Sequence, residues 1–292
     1  MRLKGRLNSS KLIKVVILIA FVVIVGYYMI INTDKTKEQF AESAIFTNDN
    51  NVSVLLMDHK YSTQFKTRDN NEVLFRKIIT FLINNGTIEN NIIDLGAWIG
   101  DNSIPWAMNI DGTVYAIDPS SDNCNFIRKM SELNNVTNVT VLEYAISNVN
   151  ETLSTNDNME HCSFVNGNAG INGKHKVNAV SLDYLYETGK IKDIGFIHLD
   201  VEGMEFKVIQ GSSKIVDEYN PIIAFEQHIE TDDFNTIIRH LNEKQYRVFL
   251  IDEVTGGRPD CRNFIAFPNG VDTDNLVNSI GGIIGQNKII PK

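Results

Sequence analysis

The run Asp94, Leu95, Gly96, Ala97, Trp98, Ile99, Gly100, Asp101, Asn102 holds the residue types best suited to cradling a ligand. Gly96 and Gly100 permit a tight turn and close backbone approach, because a side chain at either place would occupy the ligand's volume. Asp101 and Asn102 then open a helix, whose first N–H groups lack partners within the helix and face whatever lies in front. A pyrophosphate at such a turn calls for three glycines and no acid beside the helix start. Two glycines flanked by Asp94 and Asp101 suit instead a ligand that carries an amino group and a sulfonium. Some 18 residues past Gly100 stands Asp118, where a carboxylate can accept both hydroxyls of a ribose.

A second set of candidates lies further along. Asp200 ends an apolar run with Glu202 two residues on, while Glu226 and His228 end another. With a sulfonium as donor, the reaction is an in-line displacement at a methyl group. The protein positions an acceptor, and a base removes the proton of the attacking oxygen. Asp200, Glu202, Glu226 and His228 are the candidates for that work. A carboxylate is a poor base for an unactivated alcohol, so His228 or a bound metal would help; the sequence itself offers no metal-ligand set. Plainer roles compete. Glu202 and Glu205 can complement the exposed N–H groups of the next helix, and His228 can be an ordinary surface histidine. His198 alternates with Phe196 and reads as a buried, hydrogen-bonded imidazole, and Trp106 reads as core where Trp98 reads as a stacking surface.

The elements that must position these residues alternate along the chain. Short apolar runs at 91–95, 113–117 and 139–143 are separated by helical patterns at 101–109 and 121–133, a βαβαβ unit of the kind that forms a covered parallel sheet. A helix precedes it, with Val73, Leu74, Ile78, Phe81 and Leu82 at helical spacing and Asn85-Gly86 as its end. Residues 147–176, rich in Asn and Gly, read as a loop or hairpin. The alternation resumes with a strand at 194–199, a helix over 204–219, a strand at 221–225, a helix at 234–241 and two further apolar runs at 246–251 and 263–267. That last pair is expected to close the sheet as an antiparallel edge. Ligands of such sheets sit beyond the carboxyl ends of the strands, where strand order reverses.

The strings NIIDLGAWIGDNS, VYAIDPS, VSLDYL, FIHLDVEGMEFKVIQGS and PIIAFEQH, in that order, resemble the FkbM family of S-adenosylmethionine-dependent methyltransferases. The resemblance covers roughly residues 71–267, and DVEGMEFKVIQG is its most specific piece. It implies a Rossmann-like, seven-stranded methyltransferase sheet with helices on both faces, S-adenosylmethionine as cofactor, and O-methylation, often of a sugar or polyketide hydroxyl. Asp94, Gly96 and Gly100 match the family's cofactor loop. Asp118 matches an acid that members more often supply as Glu, Trp98 stands where Asn is common, and His198 stands where Lys is common. The cofactor is expected to meet Asp94, Gly96, Ala97, Trp98, Gly100, Asp101, Asn102, Asp118, Pro119, Glu143, Ala145 and Asp200.

Residues 12–31, LIKVVILIAFVVIVGYYMII, are apolar apart from Lys14. About 20 residues at about 1.5 Å each cross about 30 Å of hydrocarbon, so a transmembrane anchor is expected, with a cleaved signal peptide as the competing reading. Arg2, Lys4, Arg6 and Lys11 precede it, which keeps residues 1–11 cytosolic and the body luminal or extracellular. On that side the sequons at Asn51, Asn85, Asn135, Asn138 and Asn150 become potential glycan sites. Residues 32–70 read as a stem with an edge element, 71–269 as the catalytic domain and 270–292 as a tail without assignment. Net charge is −9 and the basic residues of the body are dispersed, which excludes nucleic acid as partner. Cys124, Cys162 and Cys261 are too few for a disulfide scaffold and form no CxxC pair for zinc. Two rivals remain: a membrane glycosyltransferase, for which Asp272-Thr273-Asp274 supplies a DxD signature, and a binding module whose cofactor cleft is filled by Trp98.

Overall fold

Asn91–Leu95 is the strand from which the site is built, and it is apolar toward both faces because helices cover the sheet on both sides. In the computed structural model the described residues are 44–47, 52–57, 59–68, 71–155, 175–229, 234–254 and 260–292. Their elements, in chain order, begin with β1 (Ala44–Thr47), β2 (Ser53–Leu56), α1 (Lys60–Arg68) and α2 (Val73–Asn84). The first half of the main sheet follows as β3 (Asn91–Leu95), α3 (Ser103–Ala107), β4 (Val114–Ile117), α4 (Ser121–Leu133) and β5 (Val139–Leu142). A small sheet uses β6 (Ala145–Ile146), β7 (Glu151–Thr155) and β8 (His175–Val180). The second half comprises α5 (Leu182–Glu187), β9 (Ile194–Leu199), α6 (Glu205–Gln210), α7 (Ser213–Tyr219), β10 (Ile222–His228), α8 (Phe234–Glu243), β11 (Arg247–Ile251), β12 (Cys261–Phe267), α9 (Thr273–Ile284) and β13 (Ile289–Pro291).

The main sheet has the order β13-β11-β12-β10-β9-β3-β4-β5. Strands β5, β4, β3, β9 and β10 run parallel, and β12, β11 and β13 add antiparallel pairs at one side. The chain winds outward from β3 to β5, then returns to lay β9 on the other flank of β3, so strand order reverses between β3 and β9. Seven of the strands answer the expected sheet, and the eighth, β13, comes from the C-terminal segment that had no assignment. There α9 packs its Leu276 and Ile280 into the core shared with α2.

Local chemistry accounts for the helix boundaries. Ser120 accepts a hydrogen bond from Asn123 N to start α4, and Asp122 in the first turn complements the exposed N–H groups. The expected single helix over 204–219 is two, because Gly211 is pressed against a neighbouring loop. A Cβ there would lie 2.4 Å from the Ser147 carbonyl oxygen, and Asp183 accepts Lys214 N at the start of α7. The expected helix at 101–109 is only the short α3, with Asn102 at its cap position and no side-chain cap. In α2 the first N–H groups are met from outside, by Glu253 beyond β11, which accepts Leu74 N and Phe75 N at 2.9–3.1 Å.

Two expectations for the polar segments change. The described part of residues 32–70 is not a free stem: Val54 and Leu56 of β2 and Tyr61 and Phe65 of α1 are buried against Ile99, Ile104, Phe126 and Met130. Asn134 locks the arrangement by exchanging hydrogen bonds with both backbone groups of Leu55. Within 147–176, β7 pairs antiparallel with β8, and residues 156–174 lie outside the described set. Residues 45–292 form one compact unit. No helix among the described residues is long and apolar enough to cross a membrane, and the expected anchor at 12–31 lies outside them. The Asn51 sequon and Cys162 also fall outside.

Candidate functional site

Register across the sheet lines up the residues that matter. Ala116, Asp94, His198, Ala224 and Ile265 stand side by side on one face of β4, β3, β9, β10 and β12. Because side chains alternate, the next row on that face, at the carboxyl ends, carries Asp118, Gly96, Asp200, Glu226 and Asn263. The candidates from distant stretches of chain therefore share one edge of one face, where strand order reverses.

At the cofactor loop, Gly96 N and Ala97 N both donate to the Ile117 carbonyl, and Gly100 N donates to the Ala97 carbonyl at 2.7 Å. Gly96 has φ +72°, and a Cβ on it would lie 1.8 Å from the Asp200 carbonyl oxygen, so only glycine lets this turn meet the 200–204 segment. Trp98 adopts φ +43°, a rare conformation for so bulky a residue. Its N–H donates to Asp118 Oδ2 at 2.9 Å, which ties the loop to the end of β4. Its indole packs on the cluster built by β2, α1 and α4.

The acids on this side are turned inward. Asp94, 1% exposed, accepts from Ser103 Oγ through one oxygen and contacts His198 Nδ1 at 2.8 Å through the other. Burial pulls the His198 imidazole down, but the Asp94 hydrogen bond and charge outweigh it, so its net shift is upward. Phe75 stacks on that ring and Trp106 meets it edge-on. Asp101 stands one residue before the cap position, which Asn102 occupies, and pairs with Arg76 of α2 at 2.6 Å, both groups being buried. Both acids expected at the cofactor loop, Asp94 and Asp101, are thus buried beside partners of this chain, as a carboxylate removed from water requires.

Asp118 is 5% exposed and accepts from Trp98 N, Ser120 N and Asn123 Nδ2. Burial pushes its carboxyl up to about 7 against the pull of those hydrogen bonds, and the Asp94 charge adds to the rise. Next to it Glu143 is exposed and accepts from Ser121 Oγ at 2.5 Å, while Pro119 is half-buried. Ala145 pairs with Ala179 in the small sheet, and its side chain belongs to the core.

On the other side of the crevice, Asp200 is half-buried and its N–H donates to the Leu95 carbonyl. Glu202 takes φ +52° and projects to solvent. Glu205 belongs to the scaffold. It accepts Val201 N, Gly203 N and Gln227 Nε2, folding the 200–204 segment back on itself, and burial raises it to about 7. Glu226 is buried within β10. His228, at the end of β10, places Nε2 3.9 Å from Glu202 Oε2 and Nδ1 3.2 Å from Asp260 Oδ2. Sequence reasoning missed Asp260, Arg76 and Ser103. The first directly precedes the strand that pairs with β10, and the second is a lone cation on the apolar face of α2; both are signals of a kind.

Comparison with known proteins decides the lineage. The methyltransferase FkbM domain model matches residues 94–248, more than half of the chain. The chain belongs to the FkbM methyltransferase family. Its cofactor is S-adenosylmethionine. No curated protein matches the chain. Among solved structures, a methyltransferase FkbM of Methylobacillus flagellatus KT is similar at 17% identity and TM-score 0.46 over 61% of this chain, which spans 44% of that protein. A putative methyltransferase of Streptococcus mutans, solved with SAH, is similar at 11% identity and TM-score 0.42, covering 67% of this chain and 96% of that one. The O-methyltransferase of Bacillus cereus, also with SAH, is similar at 14% identity and TM-score 0.39, covering 66% and 79%.

The FkbM site fits its cofactor in the nature of its groups. The turn at Gly96 offers backbone rather than side chain, and the acids at the ends of β4 and β5, Asp118 and Glu143, suit hydroxyls. The features behind the two rivals have structural uses. Asp272 caps α9 by accepting Asn275 N, and Asp274 pairs with Arg247 at 2.8 Å, so the DxD triplet is spent on a helix start. No group of acids, histidines and cysteines fit for a metal occurs among the described residues.

Proposed function

We propose that this FkbM methyltransferase O-methylates a hydroxyl of a sugar, a glycan or a similar small acceptor, and that residues 12–31 hold it to a membrane with the body on the luminal or extracellular side. The observation that carries the reading is the pair of His228 and Glu202 at 3.9 Å, Glu202 standing two residues beyond Asp200, whose backbone meets the strand end that leads into the Gly96 turn. Carboxylates and an imidazole accept hydrogen bonds from hydroxyls and repel phosphates and acids. In this reading residues 1–11 are a cytosolic tail, 32–70 link anchor to body, 71–269 carry catalysis and 270–292 complete the sheet.

Asp118 and Glu143 would hold the ribose and base of the cofactor, with Gly96, Ala97, Trp98, Gly100 and Asn102 contributing the turn around it. When bound, S-adenosylmethionine supplies an electrophilic methyl group. Asp118 Oδ2 has one lone pair engaged by Trp98 N, which leaves capacity for a hydroxyl. Asp200, one residue beyond β9, orients the acceptor, and His228 takes its proton.

Incubation of the full chain with methyl-tritiated S-adenosylmethionine and a set of methyl glycosides and glycan extracts tests the proposal. Label in an alkali-stable methyl ether supports it. Label in an ester or an N-methyl group, or no transfer to any of these acceptors, contradicts it. Protease protection of the body in sealed vesicles tests the orientation, and digestion from the cytosolic side would reverse it.

A further inference from the structure

Trp98 puts a bulky side chain where the backbone favours none. At its φ of +43° the Cβ is pressed toward the following carbonyl oxygen, a conformation that glycine takes freely. The chain holds the residue at two points. Its N–H donates to Asp118 Oδ2 at 2.9 Å, just beyond β4. Its indole packs on a cluster made by Val54 and Leu56 of β2, Tyr61 and Phe65 of α1, and Phe126 and Met130 of α4. Ile99, the next residue, is buried in the same cluster, so two consecutive residues of the cofactor turn are anchored there.

Strand β2 pairs with β1 in a sheet separate from the main one. It meets the body through this cluster and through the Asn134 hydrogen bonds to Leu55, and α1 adds the edge-on contact of Tyr61 with Phe126 at 5.2 Å. A strained residue persists only where its surroundings over-determine it. We propose that Trp98 is a positioning residue for the cofactor. Its indole, seated on the cluster that β2 and α1 help to build, holds the Trp98 N–H on Asp118 and fixes the turn. S-adenosylmethionine therefore binds tightly only while β2 and α1 are docked. The coupling is reciprocal, so a bound cofactor holds β2 and α1 in place to the same extent. The inference rests on the reading that Asp118 and the Gly96 turn receive the cofactor.

Replacing Trp98 tests this by the sign of the effect. Glycine relieves the backbone strain and removes the indole, so Trp98→Gly binds more tightly if the turn alone matters and more weakly if the indole seat does. By calorimetric titration of the full chain with S-adenosylhomocysteine, the expected loss is at least about fivefold, and smaller in Trp98→Phe, which keeps an apolar ring. Asn134→Ala removes the bonds to Leu55 without touching the turn. It is expected to weaken binding by about two- to threefold in the parent and to add nothing to Trp98→Gly. In hydrogen exchange, S-adenosylhomocysteine should slow the amides of β2 and α1 severalfold in the parent, and less so in Trp98→Gly at equal saturation. Equal or tighter binding by Trp98→Gly, additive losses in the double variant, or exchange in β2 and α1 that ignores the ligand overturns the proposal. If these results hold but Asp118→Ala binds as the parent does, the ribose reading of Asp118 fails while the coupling through Trp98 stands.

Discussion

Beside β3 and β4, Asp94, Asp101 and Asp118 are 1%, 6% and 5% exposed, whereas across the crevice the side chains of Asp260 and Glu202 are 28% and 43% exposed. The first three are held by His198 and Ser103, by Arg76, and by three N–H donors; the other two flank one imidazole at 3.2 and 3.9 Å. The same functional group serves two purposes. Deep carboxylates act as ties that give the cofactor turn one shape, and their partners repay the cost of removing them from water. The rim carboxylates stay more exposed, on the side where the proposed acceptor would arrive. In the proposed reaction, preorganisation falls on the side of the constant ligand and exposure on the side of the changing acceptor.

That contrast breaks most readily at Arg76. Replacing it with Met takes the guanidinium away from the buried Asp101 carboxylate, and unfolding free energy is expected to fall by about 3–5 kcal/mol in urea titrations. A loss below about 1 kcal/mol would mean that the pair is no structural tie. Gly96→Ala is next. The new Cβ meets the Asp200 carbonyl oxygen at 1.8 Å and the positive φ itself costs about 1–2 kcal/mol, so the turn must shift. Affinity for S-adenosylhomocysteine should drop at least about tenfold, or about 1.4 kcal/mol, by calorimetric titration.

A pH series sharpens the comparison. Asp118 and Glu205 are both raised by burial to about 7, above the unfolded carboxyl range. Folding therefore favours their protonated forms. Their stabilising contribution is complete below the unfolded carboxyl range and is lost as pH climbs through about 7. Urea midpoints should fall between mildly acidic and mildly alkaline buffer, less so in Glu205→Gln; a flat profile would contradict the assignment. The smallest effect is expected at the rim. Glu202→Gln should change stability by no more than about 0.5 kcal/mol and leave cofactor affinity intact, and a larger loss would show that the rim acid is also a tie.

Much of this was readable from residue order, and the reasons are physical. NIIDL and IGFIHL announce covered parallel strands by being apolar on both faces, and Gly96 and Gly100, with positive φ of 72° and 75°, announce the turn. What escaped depends on partners distant in sequence. Nothing near Asp101 signals that Arg76, 25 residues earlier, will claim it, and nothing near Asp94 signals His198, 104 residues later. The eighth strand was hidden because Ile289–Pro291 is too short to show a pattern, and it exists only by pairing with β11. Polar character likewise disguised the Tyr61 and Phe65 helix, whose two large rings decide its docking against α4.

The most direct test of the division between buried ties and open rim is calorimetric titration of the full chain with S-adenosylhomocysteine, in parallel with Asp118→Ala and Asp200→Asn. Saturable binding by the parent, strongly weakened in Asp118→Ala and nearly unchanged in Asp200→Asn, is the predicted result. Absence of binding at millimolar ligand, or equal affinity in the parent and Asp118→Ala, would contradict it.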